Sequence, residues 1–189
     1  MQYQENILLD YIDISNKFVG YHSKNQNEWH YIMSNIENNK LLLDKLNQNN
    51  LLPEEVNICD AGIGFGSALF DLYLQSKSIN KKFNFFGIEK NKNYLEYLNT
   101  NLIHFWDNKL TLIKGDLTIQ NYSSYDIVYT FLPYKYPTDL LKFYTRVTNS
   151  IKKNSIIIEN SACGKKSELL KVDGLEKIDL GDYFVFRKI

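Results

Sequence analysis

The segment Asp60-Ala61-Gly62-Ile63-Gly64-Phe65-Gly66 constrains this chain more than any other, because of what stands on either side of it. An apolar run, Val56 to Cys59, precedes it, and a helix-periodic stretch ending near Gln75 follows. A strand that turns straight into a helix through three alternating glycines reads as the entry to a βαβ unit. Glycine there permits backbone angles and a close ligand approach that a Cβ would forbid.

The alternation continues to the end of the chain. Strands are predicted near Val56 to Cys59, Phe83 to Ile88, Leu110 to Ile113, Ile127 to Thr130 and Ser155 to Glu159, with helices near Gly66 to Gln75, Lys92 to Trp106, Pro137 to Ile151 and Lys165 to Lys171. Two further strands, Leu175 to Leu180 and Tyr183 to Lys188, are separated only by Gly181-Asp182. That gap is too short for a parallel crossover and implies an antiparallel hairpin. Ahead of Asn49-Asn50 and Pro53 the apolar spacing is helical, interrupted by a polar hinge from Gly20 to Asn27 that presents Tyr21 and His22. The expected organisation is a helical extension, residues 1–52, packed on a core of residues 53–189, together one domain.

Charge and cysteine usage exclude several classes. Lys and Arg total 22, as do Asp and Glu, so no global field draws the chain to nucleic acid or to an anionic membrane. Cys59 and Cys163 form no CxxC pair and no histidine stands at ligand spacing, so no metal site is expected. No stretch is apolar over a bilayer's thickness and the start lacks a basic leader, which predicts a cytoplasmic protein with no membrane association.

The glycine spacing also discriminates between cofactors. A dinucleotide fingerprint GxGxxG starting at Gly62 needs glycine or alanine where Ser67 stands; the pattern here is GxGxG. Asp60 would repel a pyrophosphate at the helix N-terminus but would accept a hydrogen bond from a cationic amino-acid ligand, directly or through water. A nicotinamide-dependent oxidoreductase is therefore disfavoured, and a zwitterionic sulfonium cofactor fits.

Taken in order from Val56 to the C-terminus, these stations resemble class I S-adenosylmethionine-dependent methyltransferases. The resemblance implies a Rossmann-like α/β fold: a seven-stranded, mostly parallel sheet with a C-terminal antiparallel hairpin, flanked by helices, plus the N-terminal helical extension. It implies S-adenosyl-L-methionine as cofactor, with Asp60, Gly62, Gly64 and Gly66 around its amino-acid end. Glu89, closing Phe85-Phe86-Gly87-Ile88-Glu89, would hold the ribose hydroxyls. Asp116 and Leu117 would meet the adenine, and Thr130 would close the donor side.

The stretch Asp126 to Tyr134 resembles the fourth strand and its acceptor-side loop. Where amine-methylating nucleic-acid enzymes carry Asn or Asp followed by Pro, Pro and an aromatic residue, this chain has Phe131-Leu132-Pro133-Tyr134, which argues against DNA adenine or cytosine as acceptor. Catalytic candidates are Tyr134 first, then Tyr21 and His22, with Tyr136 and Glu159 behind them. Tyr129, Phe131, Tyr134 and Tyr136 are expected to gather around a cationic acceptor, and DIVYTFLP is similar to a stretch of small protein-lysine methyltransferases. The expected reaction is in-line methyl transfer to a protein side chain, such as lysine, or to a small molecule; the alternative is a catalytically silent donor-binding scaffold.

Overall fold

The computed structural model describes residues 6–15, 41–131, 133–134, 137–160, 167–180 and 184–189. Residues 6–15 are helical (α1), and α2 spans Leu42–Gln48. There follow β1 (Glu55–Ala61), α3 (Ser67–Ser76), β2 (Lys82–Glu89), α4 (Lys92–Tyr97), β3 (Leu110–Lys114), β4 (Ile127–Thr130), α5 (Pro137–Ser150), β5 (Ile156–Glu159), β6 (Leu175–Asp179) and β7 (Phe184–Lys188).

These strands form a seven-stranded sheet in the order β3-β2-β1-β4-β5-β7-β6. The pairs through β5 are parallel, whereas β7 runs antiparallel to both β5 and β6. This is the topology that the short Gly181-Asp182 connection implied. The order reverses between β1 and β4, which makes the crevice at their carboxyl ends the switch point where open α/β sheets bind ligands.

Because side chains alternate along a strand, the sheet buries two separate cores. Val56 and Ile58 of β1, Ile127 and Tyr129 of β4 and Ile156 and Ile158 of β5 pack with α2 and α3 on one face. Cys59 and Ala61, Val128 and Ile157 pack with Leu140, Phe143, Tyr144 and Val147 of α5 on the other. No described helix is long and apolar enough to cross a membrane.

Two predicted helices are shorter and less regular than their spacing suggests. The continuous helix expected over Lys92 to Trp106 is α-helical only to Tyr97, then widens to a π-turn over Leu98–Leu102 and tightens to a 3-10 turn over Ile103–Trp106. Two contacts accompany the break: the Asn101 amide donates to the Tyr97 carbonyl (3.0 Å), and the Tyr97 hydroxyl donates to Ile14 of α1 (2.7 Å). Where a helix was expected over Lys165 to Lys171, the described part is a 3-10 turn, Glu168–Lys171.

Candidate functional site

The chain leaves β1 through Gly62, Gly64 and Gly66, all left-handed, with φ of 89°, 53° and 75°. The Gly62 and Ile63 N–H groups both donate to the carbonyl of Ile88 (3.0 Å each), folding the loop over the end of β2. A Cβ on Gly87 would lie 2.2 Å from Cδ1 of Ile63, so β2 needs a glycine there for the loop to close.

Glu89 ends β2 directly beneath this loop. Its Oε2 accepts from the Gly64 N–H (3.1 Å) and its Oε1 from the Asn91 N–H (2.8 Å). Each oxygen thus keeps a lone pair, and two neighbouring hydroxyls could donate to them.

Asp60, one residue before the loop, is 4% exposed, and no hydrogen bond reaches its carboxylate among the described residues. Burial, and secondarily the Glu89 charge, pushes its carboxyl up to about 8. A buried acid left unpaired costs the fold stability as pH rises from its ordinary value toward 8, because the folded state holds the proton more tightly than the unfolded chain. An ammonium group laid beside it would restore the ordinary order and favour the ionised form.

Asp116 follows β3. Its Oδ1 accepts from the N–H and hydroxyl of Thr118 (2.9 and 2.7 Å), which hold its carboxyl below the usual range, while Lys90 pairs with Oδ2 (3.3 Å). Leu117 is buried beside it, and its Cδ1 lies 3.7 Å from where a Cβ on Gly62 would stand. The space over Gly62 is thus bounded by Leu117 and by Pro133, 3.3 Å from the same point. Thr130 is fully buried at the end of β4 and donates to the Ala61 carbonyl (3.4 Å), tying the two central strands together at this rim.

Three carboxylates from three successive strands therefore surround one glycine-floored crevice. The set fits a zwitterionic nucleoside: an unpaired buried acid for a cationic amine, a carboxylate with spare lone pairs for vicinal hydroxyls, and an acid beside an apolar wall for an aromatic ring bearing an amine.

The acceptor-side expectations fare differently. Tyr21, His22 and Tyr136 lie outside the described residues. Tyr134 points toward Asp116, donating to its Oδ1 (3.4 Å), with its ring 6.1 Å from that of Phe143. Burial, helped by Asp116, pushes its hydroxyl far above the ordinary value, so it is suited to donating a hydrogen bond and poorly suited to taking a proton. Of the four rings expected to gather, Tyr136 lies outside the described residues and the other three divide: Tyr129 and Phe131 pack on the α3 face, whereas Tyr134, in the loop beyond the end of β4, packs on the α5 face. Glu159 likewise turns to the α5 side, where Ser167 donates to it and burial pushes its carboxyl up.

Sequence reasoning missed the support around the loop. The Tyr11 hydroxyl of α1 donates to the Phe65 carbonyl (2.6 Å), Trp106 Nε1 donates to the same hydroxyl (3.4 Å), and the Tyr11 ring stacks on Phe70 at 4.1 Å. Tyr94 and Tyr97 meet the Phe65 ring edge-on at 4.9 and 5.5 Å. Gly87, a glycine inside a strand, was the available signal of a close approach. Tyr11 carried none, since its spacing looks like any apolar position of an amphipathic helix.

Comparison with known proteins agrees with this geometry. A protein from Listeria monocytogenes described as a class I S-adenosylmethionine-dependent methyltransferase superposes with a TM-score of 0.63 at 14% identity, over 94% of this chain and 68% of that one. TrmN from Thermus thermophilus gives 0.57 at 11% identity, over 79% and 48%. An S-adenosylmethionine-dependent methyltransferase from Clostridium acetobutylicum gives 0.53 at 19%, over 76% and 56%. At such identities these likenesses speak for the fold, and the chain spans 48 to 68% of the length of the three proteins. No curated protein matches in sequence. The model of one family, PRMT5 arginine-N-methyltransferase, matches residues 14–132, more than half of the chain, including the glycine loop, Glu89, Asp116 and β4. On that match the chain belongs to the PRMT5 arginine-N-methyltransferase family.

Proposed function

We propose that this chain is an S-adenosylmethionine-dependent methyltransferase whose acceptor is a nitrogen of a protein side chain, with arginine before lysine. The observation that carries the donor half is Asp60, a buried carboxyl with no partner among the described residues, beside a left-handed glycine turn. The family match supports nitrogen of arginine as the acceptor class.

When bound, the cofactor supplies a methyl group on a sulfonium, ready for in-line displacement. The chain's own contribution is placement. Asp60 accepts from the amino group of the methionyl end, Glu89 accepts from the ribose hydroxyls while the Gly64 N–H holds it in place, and Asp116 accepts from the adenine amine against the Leu117 side chain. Holding the donor in one pose and excluding water supplies most of the catalytic advantage for this chemistry.

The test has two steps. Calorimetric titration with S-adenosylhomocysteine should show one saturable site, and its absence would sink the donor reading. Incubation of labelled S-adenosylmethionine with an arginine–glycine repeat peptide and with its lysine counterpart then addresses the acceptor. Label on the lysine peptide alone would move the assignment to lysine, and binding without transfer to either would favour the silent scaffold.

A further inference from the structure

The donor crevice takes up the carboxyl ends of the parallel strands, and a second recess opens at their amino ends. It lies between the last turn of α3, the start of β2 and the turn that leads into β3. The length of β2 (Lys82–Glu89) sets it roughly 20 Å from the crevice. Its volume of about 250 Å³ is that of about eight water molecules in the liquid. Four lysines, Lys77, Lys81, Lys82 and Lys109, line it against a single acid, Asp107.

The fold does not use up these cations. Lysines near a helix C-terminus ordinarily answer its last carbonyls. In α3 local donors do so: the Ser76 hydroxyl donates to Tyr73 (2.7 Å), and the N–H groups of Lys77, Ser78 and Ile79 donate to Leu74, Gln75 and Ser76 (3.2, 3.2 and 3.1 Å). Lys77 pairs with Asp107 (3.2 Å), Lys81 with Glu54 (2.7 Å) and Lys82 with Glu55 (2.7 Å), but each of these carboxylates is more than half exposed, where a pair contributes little and exchanges readily. The Lys109 ammonium has no ion pair or hydrogen bond among the described residues. Its backbone is nevertheless fixed, with the N–H donating to Trp106 (2.8 Å) and the carbonyl accepting from Phe85 (3.2 Å). Between Trp106 and Lys109, Asp107 and Asn108 are both left-handed, with φ of 46° and 60°, as a tight type I′ turn demands. The Tyr73 hydroxyl fastens that turn through Asp107 (2.5 Å). Two strained non-glycine residues thus hold an unpaired cation at a defined place.

We infer that this recess binds the diphosphate or longer phosphate chain of a small molecule, with Lys109 as its fixed cation. A phosphate chain matches the excess of positive charge and offers each ammonium an acceptor oxygen, whereas a single carboxylate would leave most of them unanswered. Phe83 and Phe85, buried beneath, keep the local dielectric low and strengthen the attraction. The chain as a whole carries no net charge, and the recess has room for a short phosphate chain only, unlike the extended basic groove that tracks a nucleic-acid backbone. This site is independent of the methyltransferase reading, which concerns the other end of the sheet.

The experiment titrates the full chain with inorganic pyrophosphate at low ionic strength, by calorimetry and by nitrogen-15 NMR. One saturable site is expected, with shifts at the backbone amides of Asn108 and Lys109 and none at Gly64. Lys109→Gln should weaken binding about tenfold, the scale of one hydrogen bond to a charged group. Lys153→Gln, at an exposed lysine before β5 and three strands away, should change it by less than about twofold. S-adenosylhomocysteine affinity should stay within about twofold in both variants, which shows that the fold is intact. ADP in place of pyrophosphate assigns the source within the inference: tighter binding means that a nucleoside carries the chain, equal or weaker binding that the chain alone is recognised. The absence of a saturable pyrophosphate site, an equal loss in the two lysine variants, or tighter binding of a single-stranded RNA oligonucleotide would each overturn it. Shifts at Gly64 in place of Lys109 would overturn it too, and would count against the donor reading as well. A failure of S-adenosylhomocysteine to bind would sink the donor reading alone.

Discussion

The two halves of the crevice are built on opposite principles. On the β1–β3 side, charged side chains are set where they keep hydrogen-bonding capacity in reserve: Asp60 is buried and unpaired among the described residues, and Glu89 is anchored by two backbone amides on separate oxygens. On the β4–β5 side the polar groups engage one another: Thr130 with Ala61, Asn160 with Tyr129, Glu159 with Ser167. The first arrangement suits a fixed ligand that carries several polar groups. The second suits a rim whose polar groups are held by the protein itself. Donor binding should therefore be fragile to single substitutions on one side and tolerant on the other.

The most severe test of this contrast is Gly64→Val. It places a β-branched residue at φ 53° and displaces the N–H that holds Glu89, so S-adenosylhomocysteine affinity should fall about a hundredfold in calorimetry. Retention within a few-fold would mean that the glycine loop is not the donor's cradle. Glu89→Ala comes next, with an expected loss of about 1.5 to 3 kcal/mol in the same titration, the usual range for hydrogen bonds to a charged group.

Proton linkage gives a sharper reading of Asp60. If only the ionised carboxylate accepts the ligand's ammonium, affinity should rise with pH below about 8, by about tenfold per unit at most, with a proton released on binding. Asp60→Asn should flatten that dependence; a flat profile in the unaltered chain would detach Asp60 from the ligand. Tyr11→Phe removes a buried donor from the Phe65 carbonyl and should cost about 1 kcal/mol of stability in chemical denaturation, with a severalfold loss of donor affinity. At the small end, Tyr134→Phe breaks only a long bond to Asp116 and should change affinity by less than about threefold.

The same contrast explains how far the sequence could be read. The strands were legible because their apolar runs are short and regularly punctuated, and the closing hairpin because two residues cannot make a crossover. The donor residues were legible because glycines and acids at strand ends have few structural reasons to be there. Asn160 gave no such signal: an asparagine after an apolar strand looks like an ordinary turn residue, and its bond to Tyr129 bridges two strands 31 residues apart in the chain. The supposed aromatic cluster failed for a simpler reason. Proximity in sequence was taken for proximity in space, although β4 ends at Thr130 and Tyr134, in the loop beyond it, packs in a different core from Tyr129.

The contact of Trp106 with Tyr11 has an optical consequence. This indole is fully buried among Phe70, Tyr73 and Phe85, and its Nε1 is hydrogen-bonded to a hydroxyl carried by the first helix. The sequence holds one other tryptophan, Trp29. Replacing Trp29 with phenylalanine would leave a single emitter that senses whether that helix is seated against the glycine loop, so the colour and intensity of its fluorescence would read the state of the donor pocket without any added label.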